Sequence, residues 1–350
     1  MQHSDFIIVG SGLAGITLAH TLHQQGFSFK IISEPQMSRC SMVAAGVYNP
    51  VVFYRITKSY LADLVLPYAE QFYKSVETVL NKKLLSPLPL ARVMASRNEQ
   101  ELWQKRREEG VGEYLGALLT EPMPSINLSI SDGLGIVKNT GALDCASYIE
   151  ASLDYFKTSY IQEKFDYQSI VFHETNIAYK NYQARQIIFC EGHQISENPF
   201  FKNVILKPVK GEILTLKFTE PLPDEVSNYI LNKKCYLLPI GNNIYKVGAT
   251  YNWRELNEWP TPDGLLELEK NIRDITSIPF TILEHRAGVR PAASDRRPIL
   301  GIHQQKKQLA VFNGLGTKGV MLAPYFANAL TGLLCHSTPI HKEVDVARFG

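Results

Sequence analysis

Six residues near the start have the types and spacing to hold a phosphate chain: Gly10-Ser11-Gly12-Leu13-Ala14-Gly15. Gly10 permits a tight turn, Gly12 lets the backbone approach a pyrophosphate, and Gly15 lets a following helix pack close to a preceding strand. Leu13 and Ala14 open that helix, whose unpaired N–H groups and partial positive charge face the phosphates. Glu34 is placed to accept both hydroxyls of a ribose, and its charge repels a 2′-phosphate, which disfavours NADP. A second turn of the same character stands near the other end, with Gly314, Gly316, Thr317, Lys318, Gly319 and Val320. Between the two lies Arg290, a planar fork that matches a carboxylate in two parallel hydrogen bonds. Pro291 follows it and holds its backbone extended.

The elements that must position these groups are legible nearby. Phe6-Ile7-Ile8-Val9 is an unbroken apolar run, which predicts a buried parallel strand. Ile16, Ala19 and Leu22 recur at helical spacing, and Gly26 ends the helix. Phe27, Phe29, Ile31 and Ile32 predict a second strand that delivers Glu34. Strand, glycine turn, helix, strand and acid fall in register, which is the pattern of a dinucleotide site. The pattern alone leaves NAD and FAD open.

Composition bounds the rest. A chain of 350 residues suits about two domains. An apolar fraction of 45% and a charged fraction of 20% are those of a globular protein. Lys and Arg number 36 against 34 Asp and Glu, so the net charge of +2 offers no electrostatic case for nucleic acid. The Lys105-Arg106-Arg107 cluster is balanced by Glu108-Glu109 and reads as a solvated helix face. No run of 18 apolar residues predicts a membrane span, and the opening residues, with a strand expected about five residues in and no basic, apolar, cleavable pattern, predict no signal peptide. Five scattered cysteines without a C-x-x-C pair predict neither disulfide nor metal, and fit a reducing cytoplasm.

Further along, Pro35 to Pro50 reads as a loop rich in small residues, including Ala44, Ala45 and Gly46, that can lie against a flat ligand; Arg39 within it could reach a phosphate. Thr57 to Leu80 is helical, with Pro67 starting a second helix. A capping box at Ser96 to Glu99 opens a helix, and Asp144 caps another. Val111 to Ile130 has no clear period. Gln186 to Cys190 is a buried strand running into Glu191-Gly192. From Lys210 strands dominate, one of them covering Phe280 to His285. A long apolar helix runs from about Lys318 to Cys335.

Two glycine turns exceed what one NAD requires; a flavin dinucleotide is longer, and its ring could rest on the second. Here the sequence resembles the D-amino-acid oxidase, glycine oxidase and sarcosine oxidase family of FAD-dependent oxidoreductases. The resemblance rests on Val9 to Gly15 with Glu34, Ala44-Ala45-Gly46, Pro208 to Leu214, and Cys235 to Pro239. It continues through Val247 to Thr250, Gly288 to Pro291, Asp295 with Pro298 to Gly301, and Gly314 to Pro324. It implies an α/β fold, α+β overall, with a Rossmann-like FAD-binding domain (1–55, 140–205 and 286–350) interleaved with a mixed-sheet substrate domain (56–139 and 206–285). It implies non-covalent FAD, touched also by Ala45, Gly46 and Gly192, since no cysteine is expected on the flavin-facing loops. The family is alanine-rich where this chain has Cys190-Glu191, so Glu191 is a departure.

Carried onto this chain, the resemblance makes Arg290 the anchor for a substrate carboxylate and Tyr236 a second contact to it. The residues alone favour a structural ion pair for Arg290, with Asp295 as partner, and a half-buried strand position for Tyr236. The implied reaction oxidises a C–N bond of an amino acid or secondary amine by hydride transfer to flavin N5, without a side-chain base. His193, His285 and His303 are expected to be structural or exposed. Gly46-Val47-Tyr48-Asn49-Pro50 is also somewhat similar to the oxidase half of the bifunctional enzyme acting on carboxymethylaminomethyl-uridine in tRNA. The near-neutral charge and the lack of a methyltransferase half weigh against that alternative. A flavin-binding subunit of a larger complex is the third. The small carboxylated amine is the expected partner; the electron acceptor and oligomeric state stay open.

Overall fold

The computed structural model describes residues 1–34, 40–120, 130 and 132–350. Arg39 and most of the 120s therefore lie outside the described residues. Two large sheets organise the chain. The first has six strands, in the order Tyr160–Ile161, Phe29–Ile32, Phe6–Val9, Gln186–Phe189, Leu309–Asn313 and Ile299–Ile302. Neighbours are parallel except at the Ile299–Ile302 edge. Both faces are covered, which is why these strands read as unbroken apolar runs. On one face Phe6, Ile8 and Ile31 pack with Ile16, Phe72, Ile149 and Phe326 of four helices, Leu13–Gln24, Ala62–Leu80, Cys145–Tyr155 and Gly319–His336. On the other, Ile7, Ile32, Phe189 and Val311 pack with Ile177 and Tyr179 of a small four-stranded sheet.

The chain enters this sheet at its middle. From Phe6–Val9 it crosses to Phe29–Ile32 on one side, and later returns through Gln186–Phe189 on the other. The registers Val9 to Ile32 and Phe189 to Val9 bring Gly10, Ser33 and Cys190 to one level. A switch of direction between adjacent parallel strands opens a crevice beyond their carboxyl ends, where ligands bind in open α/β sheets.

The second sheet has eight strands, in the order Phe280–Arg290, Val209–Phe218, Ile244–Gly248, Tyr236–Gly241, Ile230–Asn232, Leu90–Val93, Leu134–Val137 and Leu115–Leu119. Only the Ile230–Asn232 and Leu90–Val93 pair is parallel. Leu268 and Ile272 of the helix Pro262–Arg273 cover one face, against Leu214, Leu216 and Val247.

Local reading failed at three places. The strand expected to stop at His285 continues to Arg290, because Val209–Phe218 pairs with its whole length despite Gly288. Pro67 starts no second helix; it sits inside Ala62–Leu80, whose buried Val65, Leu66, Ala69 and Phe72 form one continuous face across it. The small-residue loop carries a short helix, Cys40–Val43, and a strand, Val47–Tyr48. Among the described residues no helix is long and apolar enough to cross a membrane.

Candidate functional site: a long cleft between the two sheets

The cleft begins at the first glycine turn. Gly10 has φ +105°, and a Cβ there would collide with the Cys190 carbonyl. A Cβ on Gly15 would strike the carbonyl oxygen of Gly10, so the helix can lie against the turn only without one. Gly12 differs: an added Cβ would meet only Ser41 Oγ, at 3.5 Å, and otherwise point into the cleft. The Leu13 N–H donates to Ser41 Oγ at 3.0 Å. Ser11 Oγ is buried at the same turn without a hydrogen-bond partner among the described residues. An unpartnered hydroxyl, an open Gly12 and a helix N-terminus together suit a pyrophosphate. Glu34 lines the cleft at the end of its strand, joined by Lys164, Phe165 and Tyr167.

The other end is built from the loop before Pro50 and the second glycine turn. Gly46 has φ +77° and no room for a side chain against the Leu143 carbonyl. Asn49 ties several pieces together. Its Oδ1 accepts from the Val51 N–H at 2.8 Å, and its carbonyl accepts from Lys318 Nζ at 2.6 Å. Its Nδ2 lies 3.4 Å from Tyr236 Oη. Burial pulls the Lys318 ammonium down to about 8. Gly314 (φ +70°) and Gly316 (φ +54°) turn the chain into the helix Gly319–His336.

Arg290 faces the same space. Its Nη1 donates to the Thr250 carbonyl at 3.2 Å, and its guanidinium lies 4.8 Å from the Tyr251 ring centre. No carboxylate among the described residues pairs with it. Asp295, the partner that residue types alone suggest, pairs instead with Arg348 at 3.0 Å. Gly211 makes room for the fork, since a Cβ there would overlap Arg290 Nη2. Burial raises the Tyr236 phenol above its ordinary value, so it stays a donor at neutral pH.

Among the described residues, the structure thus brings every sequence-predicted site residue to the wall of one cleft of about 970 Å³ except Gly15, which lies behind it in the helix–strand contact. Residue patterns missed Lys164, Phe165, Tyr167, Tyr251 and Trp253, which line it too, and gave Ser11 and Asn49 no role beyond a place in their motifs. Of these Ser11, inside the first glycine turn, and Asn49, polar before a proline, carried a local signal.

One expectation needs correction, and the departure at Glu191 finds its partners. Cys40, Cys145 and Cys190 do line the cleft. Burial pushes the Cys40 thiol up to about 11 and Cys145 up to about 12, which disfavours the nucleophilic thiolate. Glu191 is no bare charge beside the pyrophosphate turn. Tyr167 Oη donates to its Oε1 at 2.6 Å and Asn198 Nδ2 to its Oε2 at 2.8 Å. Burial nonetheless pushes it up to about 7, against the pull of Asn198 and Tyr167. Between its ordinary 4.5 and 7 the folded state holds a proton that the unfolded state has released, so stability falls as pH rises through that window. Glu191→Gln, permanently neutral, is expected to lack this loss and to be the more stable by about 1–3 kcal/mol at pH 8. Urea melts from pH 4 to 8 check it; parallel curves for the two proteins would refute the raised carboxyl.

The cleft runs from an acid that suits a ribose, past a glycine turn that suits phosphates, to a loop and helix N-terminus that suit a flat ring, which fits a flavin dinucleotide. Comparison with known proteins agrees. A family model of FAD dependent oxidoreductases, DAO, matches residues 5–333. The tRNA 5-methylaminomethyl-2-thiouridine biosynthesis bifunctional protein MnmC of Marinobacter nauticus is 24% identical over 98% of this chain and 58% of its own length. The chain therefore spans little more than half of that relative. Glycine oxidase of Bacillus subtilis is 28% identical over 46% of this chain and 43% of its own length. The glycine oxidase structure from Geobacillus kaustophilus superposes with a TM-score of 0.81 at 20% identity, covering 100% of this chain and 98% of that one, and shows the shared fold. The chain belongs to the DAO family of FAD-dependent oxidoreductases.

Proposed function

We propose that this oxidoreductase acts on the C–N bond of a small carboxylated amine, an amino acid or secondary amine. The observation that carries the reading is Arg290, a guanidinium fork in the cleft wall without a carboxylate of its own among the described residues. A buried or half-buried fork without a partner is costly, and a substrate carboxylate supplies the match. The Thr250 carbonyl fixes one arm, leaving the remaining N–H groups for the ligand. Tyr236 offers a phenol from the strand Tyr236–Gly241 of the same sheet as Arg290, and both side chains line the cleft. Together they orient the amine and its α-carbon towards the Gly314–Val320 turn. FAD, when bound, supplies the redox step by accepting a hydride at N5. The N-terminus of Gly319–His336 and the Lys318 ammonium line the cleft and would stabilise negative charge on a flavin held beside them. The amine enters neutral, no side chain is assigned as base, and the imine product hydrolyses in water.

A second reading, a tRNA-borne carboxymethylaminomethyl-uridine, is favoured by the cleft mouth. Tyr251 and Trp253 line it with rings 6.0 Å apart and 28° from parallel, both more than half exposed. Such faces stack bases. The name of the Marinobacter relative points the same way. Anaerobic flavin bleaching separates these readings. The panel is glycine, sarcosine, proline, D-amino acids and the modified nucleoside, each beside its counterpart lacking the carboxyl group. Bleaching is expected only with carboxylated amines. Equal bleaching by the counterparts, or by no amine at all, would overturn the proposal; bleaching by the nucleoside alone would favour the second reading.

A further inference from the structure

We infer that the buried pair Lys210–Glu212 is a positioning device that sets the direction of the Arg290 fork through the segment Thr250 to Thr261; the inference rests on Arg290 being the carboxylate anchor. Lys210 and Glu212 are 0% and 2% exposed, on one face of the strand Val209–Phe218. Two charges so deeply buried stabilise a fold no better than an apolar pair of the same volume, so their contacts show what they are for. Those contacts converge on one segment.

Lys210 Nζ donates to Asn257 Oδ1 at 2.9 Å and lies 3.8 Å from Glu255 Oε2. Its backbone exchanges both hydrogen bonds with Asn252, at 2.9 and 3.0 Å. Glu212 grips the two ends. Its carboxylate accepts from the Thr261 N–H and Oγ1 at 2.9 and 2.7 Å, and its backbone N–H donates to Thr250 Oγ1 at 2.9 Å. Gly264 leaves the space that lets the carboxylate reach this helix N-terminus. The held segment supplies the Thr250 carbonyl and the Tyr251 ring, which are the groups that touch Arg290. Glu212 Oε2 also lies 2.8 Å from Nε2 of His285, on the strand that carries Arg290. The pair therefore fixes both the strand that bears the fork and the segment against which the fork rests.

The test uses the FAD-loaded enzyme with acetate as a minimal carboxylate, its Kd read from the shift of the flavin absorption band. Sarcosine turnover supplies KM and kcat. Lys210→Met/Glu212→Gln leaves the net charge unchanged. It is expected to weaken acetate and raise the sarcosine KM about tenfold, with kcat changed less than about threefold and FAD content unchanged. Loss of stability alone would not move Kd and KM while sparing kcat. If the double variant does not fold, Asn257→Ala, on the exposed segment, is read instead, with a shift in the same direction. Unchanged Kd and KM in whichever variant folds, beside a weakened Arg290→Ala, would overturn the inference. Unchanged acetate binding in Arg290→Ala would instead overturn the reading on which it rests.

Discussion

Arg290→Ala is expected to raise the KM for carboxylated amines by roughly a hundredfold while FAD stays bound. The size follows from the chemistry. A hydrogen bond to a charged group contributes about 1.5–3 kcal/mol, and a bidentate pair in a sheltered cleft reaches about 3 kcal/mol after desolvation, which is about two decades in affinity. FAD retention follows from position. Arg290 lies on the eight-stranded sheet, with Thr250 and Tyr251 around it, whereas the first glycine turn is on the six-stranded sheet. Alanine at 290 also leaves no buried carboxylate stranded, because none among the described residues pairs with it. Arg290→Lys keeps the charge and loses the fork and its stacking on Tyr251, so an effect of about tenfold is expected. Steady-state kinetics with the best amine of the panel decide it. Unchanged KM in the alanine variant would make Arg290 structural.

Gly12→Val is expected to give a folded, colourless protein, with FAD affinity lowered by at least about two orders of magnitude, or about 2.7 kcal/mol. The glycines of the turn are not equivalent. A side chain at Gly15 would collide with the backbone of Gly10, and one at Gly10 with that of Cys190, so substitution there threatens the fold. At Gly12 the nearest atom to an added Cβ is Ser41 Oγ, at 3.5 Å. The remaining space is the cleft itself, so the valine methyls occupy ground that a pyrophosphate needs. Circular dichroism and FAD titration of the apoprotein separate the outcomes. A normal flavin spectrum in Gly12→Val would refute the placement of the phosphates; loss of fold would mean Gly12 serves packing.

Much of this was legible in the chain before any contact was known. Phe6 to Glu34 announces its strand, turn, helix and acid because each part is local: apolar runs, helical spacing and glycines within thirty residues. Ser96 and Asp144 cap their helices for the same reason, each side chain accepting from an N–H three residues on. Where local preference met a stronger partner, it lost. Gly288 sits inside a strand because Val209–Phe218 pairs across it, and Pro67 sits inside a helix because the buried face runs past it.

The site divides along the same line. By itself the sequence determined the dinucleotide turn, the acid at the end of the second strand, the second glycine turn and an arginine ahead of a proline. All are patterns of neighbouring residues, and their order along the chain carried the family. Tertiary structure decided which partner each side chain meets. Asp295 turns to Arg348 and leaves Arg290 open. Glu191 finds Tyr167, 24 residues away, and Asn198. Cys40, Cys145 and Cys190 arrive at one cleft from three elements. Lys210 and Glu212 grip a segment about forty residues on. Contacts between residues that far apart leave no periodicity or spacing in the sequence, because only the tertiary packing of elements distant along the chain creates them.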